Sequence, residues 1–381
     1  MIHNPLLSII IPTKNRYSYL NNLVISLSGF TSSEFEVVIQ DNSENNEQFV
    51  DFLGILNDSR IKYFYERNSL SIIENSEFSV KNSLGKYLCF IGDDDGVIEE
   101  IIEFVSWMKI NTVDSAVCHT PKYYWPDVVH KVHDFSGSLS YSSFSKKIAH
   151  IDPITELKKC LKLGGNSLEL MPRLYHGIVS RNSLEKLYEQ CSSYFPGPSP
   201  DMANAVALST IIQNHVLYDC PIIIAGAGFN SAGGAGARKA HIGRIEDMKF
   251  LPKGTSENWE KGIPKIWTGQ TIWAESAIKA LKLTRNEAYL PLFNYNYLYA
   301  SFFVFHSQLI SSNFHFIKSF WQLLSVCRYI ISVLWLRFKF LVINIGSNRL
   351  KFSRKKTIHN IENIESCINL LTNISRSKKS E

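Results

Sequence analysis

Short apolar runs alternate with stretches of helical periodicity through the N-terminal part of the chain. Residues 6–11 are continuously apolar apart from Ser8, as parallel core strands are. Leu20, Leu23, Val24 and Leu27 then fall at i, i+3, i+4 and i+7, which is one face of a helix. Residues 35–39, 61–65 and 87–91 read as further strands, Ile98, Ile101, Ile102 and Val105 as the next helix, and 116–118 as a fifth strand. Strands alternating with helices predict an open α/β sheet with helices on both faces. Sheets of this kind take ligands at the carboxyl ends of their strands.

The residues just after each predicted strand are therefore the candidate chemistry. They are Pro12-Thr13-Lys14-Asn15-Arg16, Asp41-Asn42-Ser43, Glu66-Arg67-Asn68 and Asp93-Asp94-Asp95. Far apart in sequence, they are expected to converge in space. Three carboxylates in a row are awkward, because like charges at roughly 4–6 Å raise one another's pKa. A divalent cation such as Mg²⁺ or Mn²⁺ relieves them, with substrate phosphates completing its shell. The alternative is a solvated acidic turn capping a helix that begins near Val97. Asp41 only accepts hydrogen bonds, so beside a nucleobase it suits the ring N–H of uracil, thymine or guanine. Its alternative is an Asx-turn with Asn42 and Ser43.

Composition bounds the reading. A chain of 381 residues implies two domains, or one large domain with appendages. At 45% hydrophobic and 20% charged it is not a disordered polymer, and a net charge of +5 is too small to argue for nucleic acid. Its seven cysteines are scattered and form no Cys-x-x-Cys pair, so buried thiols in a reducing cytosol are expected rather than a zinc ribbon. The N-terminal run lacks a basic leader and is followed by Pro12, so it reads as a strand and not as a signal peptide. Beyond residue 190, a Pro-rich approach ending at Asp201 leads to a helix that starts near Met202. A strand at 221–225 and a Gly-rich stretch at 226–236 follow, then Arg238, Lys239, His241 and Arg244.

Three blocks carry a resemblance. Residues 9–16 (IIIPTKNR), 37–43 (VVIQDNS) and 85–95 (GKYLCFIGDDD) resemble, in order and spacing, the signature blocks of family 2 glycosyltransferases. The resemblance is good over the first hundred residues or so and looser to about residue 245. Gly92 stands where many relatives open the block with an Asp. The resemblance implies a GT-A fold, a Rossmann-like and mostly parallel open sheet, and a nucleotide-sugar donor (UDP-, dTDP- or GDP-sugar). It implies that Pro12, Thr13, Asn15, Arg16 and Asp41 line the nucleoside pocket, with Arg67 and Asn68 contributing. Asp93 and Asp95 are then expected to hold the diphosphate through Mn²⁺ or Mg²⁺, with Asp94 beside the donor and His241 as a third ligand or phosphate contact. Asp201 is expected as catalytic base for inverting displacement, its alternative being a plain N-cap. The acceptor would be a glycan or a polyprenyl-diphosphate-linked glycan in bacterial surface polysaccharide (O-antigen or capsule) synthesis.

The expected organisation is a catalytic domain over 1–245, a helical lid or acceptor-side region over 246–315, and an amphipathic segment with a basic tail over 316–381. Trp321, Tyr329 and Trp335 with Arg328, Arg337 and Lys339 fit an anchor lying in a membrane interface. That would place a cytoplasmic protein on the inner face of the inner membrane. Two competing readings remain. Gly226-Ala227-Gly228 looks like part of a dinucleotide fingerprint, with Ser231 where the third glycine belongs, which would give an NAD-dependent oxidoreductase. A non-catalytic nucleotide-binding scaffold of the same fold is the other.

Overall fold

The computed structural model describes residues 4–128, 135–231, 242–349 and 355–378. The chain opens with β1 (Leu7–Thr13), α1 (Tyr17–Ser28), β2 (Phe35–Asp41), α2 (Glu47–Leu56), β3 (Ile61–Tyr65), α3 (Ile72–Lys81) and β4 (Tyr87–Phe90). It continues through β5 (Gly96–Val97), α4 (Glu100–Ile110), β6 (Ser115–Cys118), β7 (Lys122–Tyr124), β8 (Ser138–Ser142), β9 (Ile148–Ile151) and α5 (Pro153–Lys162). Then come β10 (Gly177–Ser180), α6 (Arg181–Cys191), α7 (Pro200–Ser209), β11 (His215–Tyr218) and β12 (Ile223–Ala227).

An eight-stranded sheet orders these as β3-β2-β1-β4-β10-β6-β11-β9. Strands β3, β2, β1 and β4 are mutually parallel, as are β6 and β11, while β10 and β9 run against their neighbours. This is the expected open, mostly parallel α/β sheet. Ile9, Ile10 and Ile11 are wholly buried on β1, because helices cover both faces. On α1 the predicted face, Leu20, Leu23, Val24 and Leu27, is the one that packs into the core. The antiparallel β10 gave no sequence signal, since four residues are too few to show a period.

The second half is mainly helical. A small ribbon pairs β13 (Gly243–Arg244) with β14 (Ile266–Trp267). Helices α8 (Gly269–Leu283), α9 (Tyr295–Phe305), the one-turn α10 (Ile310–Asn313) and the long α11 (Phe320–Arg349) follow. A second core joins Leu157, Cys160, Met202 and Val206 to Ile272, Ile278, Leu298 and Phe302. Residues on both sides of position 245 therefore share one interior.

The C-terminus differs from the expected basic tail. Strand β15 (Lys355–Ile358) pairs antiparallel with β8 and extends a second, five-stranded sheet. Helix α12 (Ile364–Ser377) then sets Ile364, Cys367, Ile368 and Leu371 into the N-terminal core beside α1 and β5. Asn363 caps it by accepting from the Ser366 N–H. The apolar positions fall at i, i+3, i+4 and i+7, a face that the basic residues around it obscured. All seven cysteines are free thiols; Cys327 is exposed and most of the others are buried.

Candidate functional site

Strand register brings the strand ends together. Thr13 lies beside Asp41 on the β1–β2 ladder, and Asp41 beside Tyr65 on β2–β3. On its other side β1 sets Ile10 against Phe90. Three residues further along both chains Thr13 meets Asp93, and the Thr13 hydroxyl donates to Asp93 Oδ2 at 2.7 Å. Arg16, just past the same strand, places its guanidinium 2.9 Å from Asp93 Oδ1 and 3.8 Å from Asp94 Oδ1.

The acidic loop is gripped from several directions. Asp94 Oδ2 accepts from the Gly228 N–H at 2.8 Å, and the Trp125 indole donates to the Asp94 carbonyl at 2.9 Å. Asp95 Oδ2 accepts from the Gly92 N–H at 2.6 Å and the Tyr175 hydroxyl at 3.2 Å, with His176 Nε2 at 2.6 Å. Its other oxygen accepts from the Gly226 N–H at 2.7 Å. The loop does not cap α4: residues 96–97 form β5 instead, and α4 starts only at Glu100. Gly226 is required here, because a Cβ at that position would sit 1.7 Å from the Asp94 carbonyl oxygen. That close approach accounts for the Gly-Ala-Gly pattern. Gly226 and Ala227 are β12 residues pairing with β7, and the Gly228 N–H serves Asp94, so the dinucleotide-fingerprint reading is withdrawn.

Burial pushes the carboxyls of Asp93 and Asp94 above the ordinary aspartate range. Neighbouring carboxyls push the same way and Arg16 pulls back. Burial also works against the Arg16 guanidinium, but Asp93 and Asp94 outweigh it and hold it charged. Asp93 and Asp94 thus share the Arg16 guanidinium, while Asp95 faces His176. Asp93 Oδ1 is buried and, among the described residues, accepts no hydrogen bond; the Arg16 guanidinium is its ion-pair partner. A buried carboxylate oxygen with no hydrogen bond is a ligand that a divalent cation such as Mn²⁺ or Mg²⁺ accepts. Among the described residues no three His, Cys, Asp or Glu side chains gather tightly enough to hold a metal unaided, so substrate oxygens would have to complete the shell.

The other predicted site residues are placed less uniformly. Asp41 is fully buried; its Oδ2 accepts from the Tyr17 and Tyr63 hydroxyls at 2.6 and 2.7 Å, and its Oδ1 from the Ser43 N–H at 2.8 Å. The Asx-turn is what this arrangement contains, and Asp41 does not face an open pocket. Burial, then the bond to Asp41, pushes both phenols well above the usual tyrosine range. Pro12 is half-buried beside Thr13. Asn15 is exposed at φ 57°, and its N–H donates to Ser43 Oγ at 2.7 Å, tying the first loop to the second. Arg67 and Asn68 are exposed after β3, and the Asn68 carbonyl accepts from Asn42 at 2.6 Å. Asp201 is the second residue of α7; Ser199 is the N-cap, and Asp201 Oδ1 accepts from the Met202 N–H at 2.8 Å. The Tyr175 phenol, on a half-buried ring, is pushed well up by desolvation first, then by the charges of Asp95, Asp94 and Asp201. His241 lies outside the described residues.

His176 went unseen in the sequence. It sits at φ 55°, a left-handed conformation uncommon for a residue with a side chain, and its ring stacks on Tyr175 at 4.1 Å. An isolated bridge from Phe90 to Tyr175 carries it to the acidic loop.

Comparison with known proteins adds an independent line. The model of the family described as "Glycosyl transferase family 2" matches residues 8–160. Uncharacterized glycosyltransferases of Rickettsia felis and Rickettsia conorii are 29% and 28% identical over 104 and 103 residues. Each alignment covers 27% of this chain and only 17% of the relative. Staphylococcus aureus TarS superposes with a TM-score of 0.42 at 18% identity, covering 58% of this chain and 36% of TarS. A TarS 1–349 structure with UDP gives 0.41 at 15% identity, covering 75% of this chain and 91% of that one. The matched signature blocks meet at the carboxyl edge of a mostly parallel sheet, so residues 8–160 form a segment similar to glycosyl transferase family 2.

Proposed function

We propose that this protein transfers a sugar from a nucleoside-diphosphate sugar to a hydroxyl of a glycan or a polyprenyl-diphosphate-linked acceptor, with inversion, in the cytoplasm. Assembly of a surface polysaccharide such as O-antigen or capsule is the corresponding cellular role. One observation carries the reading: Asp93, Asp94 and Asp95 meet Thr13, Arg16 and His176 at the strand ends of a segment similar to family 2.

In this reaction the acceptor oxygen attacks the anomeric carbon, its proton passes to the Asp201 carboxylate, and the bond to the diphosphate breaks with its electron pair on the leaving oxygen. A bound Mn²⁺ or Mg²⁺ supplies Lewis-acid stabilisation of the leaving diphosphate. Asp93 and Asp95 are its proposed ligands, with His176 adjoining and His241 a further candidate. Arg16 offers a fixed positive charge at the same place. Asp93, Asp94 and Asp95 are buried, with the Trp125 indole holding the Asp94 carbonyl, and burial strengthens the charge interactions among them. Pro12, Thr13 and Asn15 are proposed to frame the nucleoside, with Arg67 and Asn68 at its outer edge. Asp41 acts there indirectly, by holding Tyr17 and Tyr63.

The test is a panel of UDP-, dTDP- and GDP-sugars with Mn²⁺, Mg²⁺ or chelator, scored by release of nucleoside diphosphate with and without acceptor. Release from one donor that needs the metal supports the proposal. Tight donor binding without release under any condition would instead indicate a scaffold.

A further inference from the structure

Over residues 320–339 helix α11 has two apolar faces, and among the described residues only one of them is covered. Val326 and Val333 are 1% and 5% exposed and face the core. Tyr329 meets Tyr297 of α9 edge-on at 5.6 Å, and Gln322 donates to Asn296 at 3.2 Å. On the outside, Phe320, Leu324, Cys327, Ile331, Leu334 and Phe338 follow one another at steps of four and three, a continuous stripe along the helix. All six are exposed, Phe320 at 67% and Ile331 at 70%. Trp321 and Trp335 flank the stripe at 78% and 62% exposure. Phe305 of α9, itself 46% exposed, has Arg337 stacked over its ring at 4.7 Å. An aromatic side chain can bury about 150–250 Å². Several left bare in one place exceed the few hundred Å² that monomeric proteins ordinarily expose.

Charge selects the occupant. No Asp or Glu occurs between residues 320 and 349, whereas Arg328, Arg337 and Lys339 are exposed along the helix and Lys318 just before it. A second copy of this helix would bring like charges together with no acid to pair them, the reverse of a coiled-coil seam. No helix is long and apolar enough to cross a membrane among the described residues. We propose that this face docks flat on an anionic lipid surface, with the Trp and Phe rings at headgroup depth and the basic side chains against lipid phosphates. This docking does not depend on the transfer reading.

The test is flotation of the full chain with vesicles of equimolar phosphatidylglycerol and phosphatidylcholine, beside vesicles of phosphatidylcholine alone. Binding is expected on the anionic vesicles, about tenfold or more weaker on the neutral ones and weakened by salt. Ile331→Glu with Trp335→Glu should lose it, with helix content and soluble yield unchanged because both side chains point to solvent. A charge-only variant, Arg328→Gln with Lys339→Gln, should lose most of the preference for anionic lipid. Equal binding to both vesicles would overturn the charge argument. Absence of flotation would overturn the docking, and a concentration-dependent dimer broken by Ile331→Glu would assign the face to a second copy.

Discussion

Asp95 is the residue on which the site converges, because it ties three separated chain segments to one carboxylate. Asp95→Asn preserves shape but removes the charge; metal-dependent nucleoside diphosphate release is expected to fall by about 10²-fold or more, the scale of losing an electrostatic anchor. Asp201 sits apart from that cluster and calls for a different outcome. Asp201→Asn keeps an oxygen for the Met202 N–H, so α7 should stay intact and donor affinity unchanged, while transfer drops by about 10²–10⁴-fold. Donor titration alongside turnover distinguishes the two roles, and full turnover would make Asp201 only a helix-terminal residue. Gly226→Ala drives a methyl into the Asp94 carbonyl and should cost about 3 kcal/mol or more, read from urea unfolding.

At the scale of elements, two buried ionisable groups pull stability in opposite directions with pH. Glu275 on α8 is buried, and burial lifts its carboxyl from 4.5 to about 7 against the pull of Lys279. The folded state then binds the extra proton between those values, so stability falls as pH rises through that window. His215 on β11 has its ring between Ser115 and the Leu170 carbonyl, and burial lowers it from 6.5 to about 4. There the unfolded state binds the extra proton, so stability falls as pH drops through 6.5 towards 4. Each effect is on the order of 3 kcal/mol, and between about pH 4.5 and 6.5 they offset one another. Glu275→Gln should therefore raise stability at pH 8 and expose a steeper acid loss near pH 5, measured by thermal unfolding across pH. A variant as flat as the parent would show that Glu275 is not held protonated.

At the scale of the whole molecule, the closing segment is structural. β15 completes a sheet edge and α12 covers α1 and β5, so Leu371 and Ile364 belong to the same core as Leu20 and Ile101. Truncation after residue 354 should leave an aggregating protein without a cooperative transition, and Leu371→Ala should cost about 2–5 kcal/mol. A soluble, cooperatively folding truncation would return these residues to the status of a tail.

The N-terminal strands, α1 and the strand-end loops could be read from the chain because their information is local: period, apolar runs and turn residues lie within ten or so positions of one another. The acidic loop and its companions were legible for the same reason, since a parallel sheet obliges successive strand ends to share one edge. His176 was not, because its place depends on β10 inserting antiparallel between β4 and β6, a pairing between residues about 60 to 90 positions apart. The satisfaction of Asp41 by Tyr17 and Tyr63, the glycine that lets β12 touch the acidic loop, and the return of α12 to the first core were likewise settled in three dimensions. In each of them the free energy comes from contacts between distant segments, and no local pattern records such a contact before the chain has closed around it.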